Sequence, residues 1–183
     1  MKSRRWLIGG AVLAVVGIGA FVATGGAMRT IRLSAGEIQS EVSKKFPFEK
    51  RELIIAAKFT NPTVQIDPGT DRVRIGFSTT VTALGMSAAS GHTEGSGVVR
   101  YEPSTGELFL DSPKVDVTGF EMSVLPTKYR NAAGELIGSA LQEYLARTPV
   151  YKLSDKDTHF TMVRLGVKSI RVRDSKLEIA LGL

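Results

Sequence analysis

Apolar and polar residues alternate along most of the chain between Pro47 and Leu110, and this alternation restricts the possible folds more than any other feature. A period of two is typical of β-strands that bury one face. Residues 68–71 and 103–106 combine Pro and Gly with short polar residues, which favour tight turns. The sequence therefore predicts an antiparallel meander, whose strands are residues 52–60, 63–67, 72–84, 97–101 and 107–110.

Two segments repeat their apolar residues with a helical spacing instead. The first begins at Ser34, whose hydroxyl group can form a capping box with the side chain of Glu37, and it ends before Pro47. The second spans residues 131–147 and carries a broader apolar stripe, so we expect it to be the more deeply buried helix. A last hairpin is predicted from the alternation in residues 163–172 and 177–181.

The order of these elements contains no strand–helix–strand repeat that would indicate a parallel sheet. It predicts an α+β fold: a long curved antiparallel sheet wrapped around a C-terminal helix, with an N-terminal amphipathic helix and a membrane segment. Residues 85–97 are rich in Gly, Ser and Ala, and they are predicted to form a flexible loop or a poorly packed strand pair.

The membrane segment is predicted at residues 6–28, which include no charged side chain. A helix of this length would be about 34 Å long, enough to cross a hydrocarbon core of about 30 Å. Lys2, Arg4 and Arg5 precede it, so the positive-inside rule places the remainder outside the cytoplasm. We expect a signal anchor or a cleaved signal peptide at residues 1–28 and a single exported domain at residues 29–183. Anchoring would hold that domain on the periplasmic side of the inner membrane, and cleavage would release it into the periplasm.

Composition and charge exclude several classes of protein. The chain has no cysteine, so disulfide bonds, a thiolate nucleophile and a lipid-modified cysteine are excluded. Residues 29–183 carry only three more basic than acidic side chains, too small an excess to predict a nucleic-acid partner. Four of the basic residues are predicted to form a solvated face, with a patch for anionic lipid headgroups as the alternative. They are Lys44, Lys45, Lys50 and Arg51.

No catalytic arrangement is recognisable in the sequence. His92 and His159 are the histidines of the chain. The Gly-x-Ser-x-Gly motif of a serine hydrolase does not occur in the sequence. Asp155, Asp157 and His159 could share one face of a strand and hold a divalent ion, but a solvated loop is the simpler interpretation. Residues 85–97 lack the Lys and Ser/Thr pair of a phosphate-binding loop. We therefore expect a protein that is not an enzyme, with no cofactor and no metal site.

Two segments resemble the YceB-like family of bacterial envelope lipoproteins, a domain of unknown function. They are residues 33–51, LSAGEIQSEVSKKFPFEKR, and residues 148–153, TPVYKL, after the second helix. The resemblance covers nearly all of the exported part. It implies a long antiparallel sheet around a C-terminal helix, similar to the tubular lipid-binding folds, on the periplasmic side. Family members typically begin with a lipobox cysteine, which this chain lacks, so lipid anchoring would be replaced by residues 6–28 or by release of the domain.

The resemblance also favours a hydrophobic ligand inside the sheet. Bulky apolar residues on both helices and on or near the sheet are predicted to line that pocket, and the alternative is that they fill a core. They are Ile38, Val42, Phe46, Phe77, Met86, Met122, Leu141 and Tyr144. Tyr144 or Tyr151 could offer a polar contact near the mouth. The predicted function is a non-enzymatic envelope protein that binds a lipid or another hydrophobic ligand; the alternative is an envelope protein–protein interaction module with a filled core and no ligand.

Overall fold

The computed structural model describes residues 29–117, 119–120, 126–153 and 166–181. The fold of this part is α+β, with most residues in antiparallel sheet and two helices. Its elements, in chain order, are β1 (Arg29–Ser34), α1 (Ala35–Ser43), β2 (Phe48–Glu52), β3 (Ile55–Asp67), β4 (Arg72–Ala83), β5 (Met86–Glu102), β6 (Glu107–Asp116), α2 (Thr127–Arg147), β7 (Tyr151–Lys152), β8 (Val167–Arg173) and β9 (Lys176–Leu181).

The larger sheet contains β2 to β7 in sequence order, every neighbouring pair antiparallel, so the predicted meander is confirmed. The turn at residues 68–71 also forms as predicted: Thr70 N donates to Asp67 O at 3.4 Å, and Gly69 has a φ of 82°. A positive φ after Pro68 is typical of a type II turn. The predicted break between residues 60 and 63 is wrong, because β3 runs through it with a bulge at Asn61 (φ 49°).

Residues 85–97 form neither a loop nor a poorly packed strand pair, because all but Gly85 belong to β5. The glycines of this strand leave room for neighbouring elements. A Cβ atom on Gly95 would lie 2.1 Å from Cδ1 of Leu145, a buried residue of α2. Absence of a side chain at Gly95 therefore allows α2 to approach the sheet.

We expect Gly95→Val to destabilise the protein by about 1–3 kcal/mol, because its side chain would overpack the interface with Leu145. His92→Val is the matched control, since His92 is an exposed residue of the same strand. Thermal melting of the full chain measures both. Equal melting temperatures for the two variants would contradict the close approach of α2 to Gly95.

Helix α1 begins with the predicted capping box. The backbone N–H of Glu37 donates to Ser34 Oγ at 3.3 Å, and the backbone N–H of Ser34 donates to Glu37 Oε2 at 2.8 Å. The buried side chains of Ile38 and Val42 project from the helix, which packs on β3. A further hydrogen bond of 3.1 Å, from Val64 N to Gln39 Oε1, joins the helix to that strand.

Helix α2 begins at Thr127, four residues before the predicted start, and packs on β2, β3, β5 and β6. Its inner face consists of small and branched apolar residues that are at most 2% exposed. They are Ala133, Leu136, Ile137, Ala140, Leu141 and Leu145. In the described ranges, no helix is long and apolar enough to cross a membrane. The predicted membrane segment at residues 6–28 lies outside those ranges.

A second sheet of three strands, in the order β1–β9–β8, was not predicted as a separate unit. The predicted last hairpin corresponds to β8 and β9, but it pairs with β1 instead of extending the meander. Val172 N donates to Asp71 Oδ1 at 2.6 Å, so this sheet adjoins the β3–β4 turn. We call this the capped end of the larger sheet. The opposite end carries the β2–β3 and β4–β5 turns.

Candidate functional site

Most residues of the predicted pocket are brought together, and they pack against one another. Ile38, Phe77 and Leu141 are 0% exposed, while Phe46 and Tyr144 are half-buried against the same core. Val42 belongs to this core as well. These side chains occupy the space in which the sequence predicts a ligand.

Aromatic rings form the centre of this packed region. Phe46 stacks on Phe77 with the ring centroids 5.1 Å apart, and Phe48 stacks on Tyr144 at 4.3 Å. Phe59 lies 5.5 Å from Phe48 and 6.3 Å from Phe77. Such ring pairs each contribute about 0.5–1.5 kcal/mol beyond the burial of their area. The contacts link the start of β2, the middle of β3 and β4, and the C-terminal half of α2.

The two methionines of the predicted pocket are not part of this packing. Met86 is 68% exposed, so its predicted position in the interior is wrong. It begins β5 directly after a turn, and its side chain projects past the end of the core. Met122 lies outside the described residues.

The basic residues near α1 and β2 mostly have acidic partners. Lys50 pairs with Glu143 at 3.5 Å and Arg51 with Glu49 at 3.1 Å, and Lys44 pairs with Glu41. These contacts favour the solvated face over a headgroup site. Lys45 Nζ donates to the carbonyl oxygen of Pro149, and partial burial lowers the pKa of the Lys45 ammonium.

Tyr144 is the second titratable group of this region that is affected by burial. Its hydroxyl donates to the carbonyl oxygen of Lys45 at 3.4 Å, and burial raises the pKa of the phenol. Loss of water around the ring disfavours the phenolate. Tyr144 is therefore a packing residue whose hydroxyl also makes polar contacts, and its neutral form is the stable one at ordinary pH.

His92 lies exposed on β5. The described residues include no group of three or more His, Asp or Glu that could hold a metal ion. Asp155, Asp157 and His159 lie outside the described ranges.

An apolar groove lies between the first turns of α2 and the β2–β3 turn. Its volume is about 490 Å³, which is within the range of about 300–1,000 Å³ of small-molecule sites. The floor includes Ile55 and Leu136, which are 6% and 2% exposed. The complete lining is Glu52, Leu53, Ile54, Ile55, Tyr129, Ala132 and Leu136. A smaller hollow of about 210 Å³ continues between this turn and the β4–β5 turn.

The two turns beside the groove carry exposed aliphatic side chains, which we call the apolar tip. Leu53 is 98% exposed, Leu84 70%, Met86 68% and Ile54 41%. Leu84 N donates to Ile54 O at 2.9 Å, so the two turns are joined directly. The groove and the tip share Leu53 and Ile54.

The groove can bury an apolar chain, and its lining provides few groups for covalent chemistry. Glu52 and Tyr129 are the titratable side chains among the lining residues. A third cleft of about 570 Å³ lies beside α1, but it is more open and more polar, with Gln39 and Lys58 in its lining. The groove is therefore the better site for a hydrophobic ligand.

Sequence reasoning missed the groove because it assigned Leu53 and Ile54 to a strand. Residues 53–57 are all apolar, which interrupts the alternation but also fits a buried strand, so the sequence has no clear signal for this turn. At the second turn, Leu84 precedes Gly85, and glycine favours a turn.

Comparisons with known proteins give a family and a distant similarity to solved structures. A solved structure described as "Crystal structure of lipopolysaccharide binding protein" is similar to this chain at 12% sequence identity, with a TM-score of 0.30. The alignment covers 84% of this chain and 49% of that one, so this chain spans about half the length of that structure. No curated protein matches the chain. The family profile described as "Protein of unknown function (DUF1439)" matches residues 33–176. The chain therefore belongs to the DUF1439 family.

Proposed function

We propose that this protein is a non-enzymatic component of the cell envelope that binds a lipid or another hydrophobic ligand in the groove between α2 and the β2–β3 turn. The observation that carries the proposal is the groove itself: an apolar cleft of about 490 Å³ with a buried floor and an exposed aliphatic rim. Burial of apolar groups supplies the affinity, at about 0.8 kcal/mol for each CH₂ removed from water.

A curved sheet around α2 supports the same proposal. Lys50 in the middle of β2 pairs with Glu143 of α2, so the helix lies beside this edge of the sheet. The same helix packs on β6, which is four strands away in the sheet. These strands are about 19 Å apart along the sheet, and curvature of the sheet around the helix would bring both of them to it. We infer that the sheet wraps around α2 and leaves the groove at the end of the helix.

The envelope location is part of the proposal and is supported by the sequence. Residues 6–28 carry no charge and follow Lys2, Arg4 and Arg5, which favours export of the remainder. Retention of this segment would keep the domain at the inner membrane on the periplasmic side. Without a lipobox cysteine, attachment would depend on this segment, and its cleavage would release the domain.

A second candidate function is an envelope protein–protein interaction module without a ligand. The packed aromatic core favours it, because Phe46, Phe77 and Tyr144 leave no space between them for a ligand. In this case the exposed residues around the groove would contact another protein.

Photo-crosslinking distinguishes these functions. Bacteria that produce the full chain are supplied with a fatty acid that carries a diazirine, irradiated, and the protein is digested for mass spectrometry. We expect lipid adducts both on peptides that contain residues 53–55 and on peptides that contain residues 129–136, because the groove brings the two segments to one ligand. Adducts on residues 6–28 report the predicted membrane segment and are counted separately.

Ala132→Trp is the test variant, because Ala132 is exposed and lines the groove, so the indole fills the groove without entering the core. We expect at least about a tenfold loss of groove adducts, equivalent to about 1.4 kcal/mol. Gln142→Trp places the same side chain on an exposed position of α2 outside the groove and should leave the adducts unchanged. Absence of groove adducts in the unmodified chain would reject ligand binding and favour the interaction module.

A further inference from the structure

The β4–β5 turn, which is part of the apolar tip, has a leucine where its backbone conformation favours a different residue. Leu84 and Gly85 both have positive φ, 51° and 79°, between the paired residues Ala83 and Met86. This is the conformation of a type I′ turn, for which Asn-Gly is the preferred pair. Leu53, in the other turn, also has a positive φ of 50°.

Leucine at these two positions has no advantage for folding. A branched side chain at positive φ is strained, and Leu53 and Leu84 recover little by burial because they are 98% and 70% exposed. A backbone outlier of this kind supports a functional role for the side chain. The role must involve an apolar contact outside the described chain.

The size of the apolar tip favours a bilayer over a folded protein. Four aliphatic side chains, which are 41% to 98% exposed, present apolar surface on the order of a few hundred Å². A stable protein interface needs about 800 Å² on each partner. A hydrocarbon layer imposes no such requirement, since separate side chains can enter it without a complementary shape.

The residues around the apolar tip also favour a bilayer over a protein partner. The turn residues carry no charge, and the backbone N–H of Leu84 is already bonded to Ile54, so it is not available to a partner strand. Arg51 and Glu52 adjoin the tip and are exposed, so charged side chains of both signs can stay in the headgroup layer while the tip enters the apolar layer.

We propose that the apolar tip, Leu53, Ile54, Leu84 and Met86, inserts into a lipid bilayer, so that the groove opens onto the membrane. For the ligand, this inference rests on the proposed function. An apolar chain would pass between the bilayer and the groove across Leu53 and Ile54, without crossing water. Insertion of the tip itself depends only on the exposed side chains.

The test uses single cysteines, because the natural chain has none. Leu84→Cys is labelled with an environment-sensitive fluorophore in the full chain, which is reconstituted in phosphatidylethanolamine–phosphatidylglycerol vesicles that contain spin-labelled lipid. Protein-free vesicles of the same composition are also added. Insertion of the tip is then detected whether it enters the bilayer that holds the protein or the bilayer of another vesicle. Thr70→Cys, an exposed turn residue at the capped end, is the matched control.

We expect lipid quenching at position 84 to be at least about threefold stronger than at position 70. A second chain carries the label at Met86→Cys together with Leu53→Asn and Leu84→Asn. These two changes fit the positive φ angles, so the melting temperature should stay the same or rise, while the lipid quenching at position 86 is lost.

Two results would overturn the proposal. One is equal lipid quenching at positions 84 and 70. The other is protection of position 84 from both lipid and aqueous quenchers, which would indicate a protein partner at the tip. Groove adducts that persist in the Leu53→Asn, Leu84→Asn chain would show that ligand binding survives without tip insertion, so the two proposals fail separately.

Discussion

Leu141→Asp should leave the protein largely unfolded. Leu141 is 0% exposed on the inner face of α2, so the substitution removes buried methyl groups and places a carboxylate in the core. The lost packing costs about 2–5 kcal/mol, and an unpaired buried charge costs several kcal/mol more. Together these losses are comparable with the entire stability of an ordinary domain, about 5–15 kcal/mol.

Circular dichroism and limited proteolysis of the full chain measure this effect. Gln142→Asp is the matched control, because Gln142 is the next residue on α2 and is exposed. Its expected cost is within about 0.5 kcal/mol. If Leu141→Asp melted at the temperature of the unmodified chain, the inner face of α2 would be assigned incorrectly.

Phe77→Ala should cost about 3–5 kcal/mol of unfolding free energy. Phe77 is 0% exposed and contacts the rings of both Phe46 and Phe59, so its removal leaves a cavity that these rings cannot fill. Phe109 is the matched control, because it is half-exposed on β6 beneath Arg100, whose guanidinium lies 5.2 Å from the ring centroid. Chemical denaturation should show a much smaller loss for Phe109→Ala.

A second substitution at Phe77 distinguishes a ligand in the groove from a ligand among the aromatic rings of the core. Phe77→Leu keeps most of the buried volume and should cost less than about 1.5 kcal/mol. Since Phe77 does not line the groove, the lipid adducts near residues 53–55 should be retained in this variant. A loss of adducts comparable with that of Ala132→Trp would instead place the ligand among the aromatic rings.

The sequence predicts most of the larger sheet, because its signals are local. The type II turn needs Pro68 and Gly69, and the capping box needs Ser34 and Glu37, all of which are visible as short patterns. The three-stranded sheet is different. Strand β1 pairs with β9 across almost the whole chain, and six residues of alternation do not reveal such a distant partner.

The candidate site is less predictable than the fold. The sequence identifies which side chains are bulky and apolar, but it does not show whether they fill a core or line a cavity. Ile38 and Leu141 are in the core because two helices and the sheet meet there. Leu53 and Leu84 are exposed because each occupies a turn, where leucine is rare and the pattern resembles a strand.

Isoleucine methyl NMR of the full chain in lipid nanodiscs, titrated with a long-chain fatty acid, tests the groove most directly. Ile54 and Ile55 line the groove, whereas Ile38 and Ile75 are fully buried in the packed core. Ligand binding in the groove predicts saturable shifts of the Ile54 and Ile55 methyl signals, with Ile38 and Ile75 unchanged. Shifts at Ile38 and Ile75 without shifts at Ile54 and Ile55, or no saturable shift at any of the four, would contradict it.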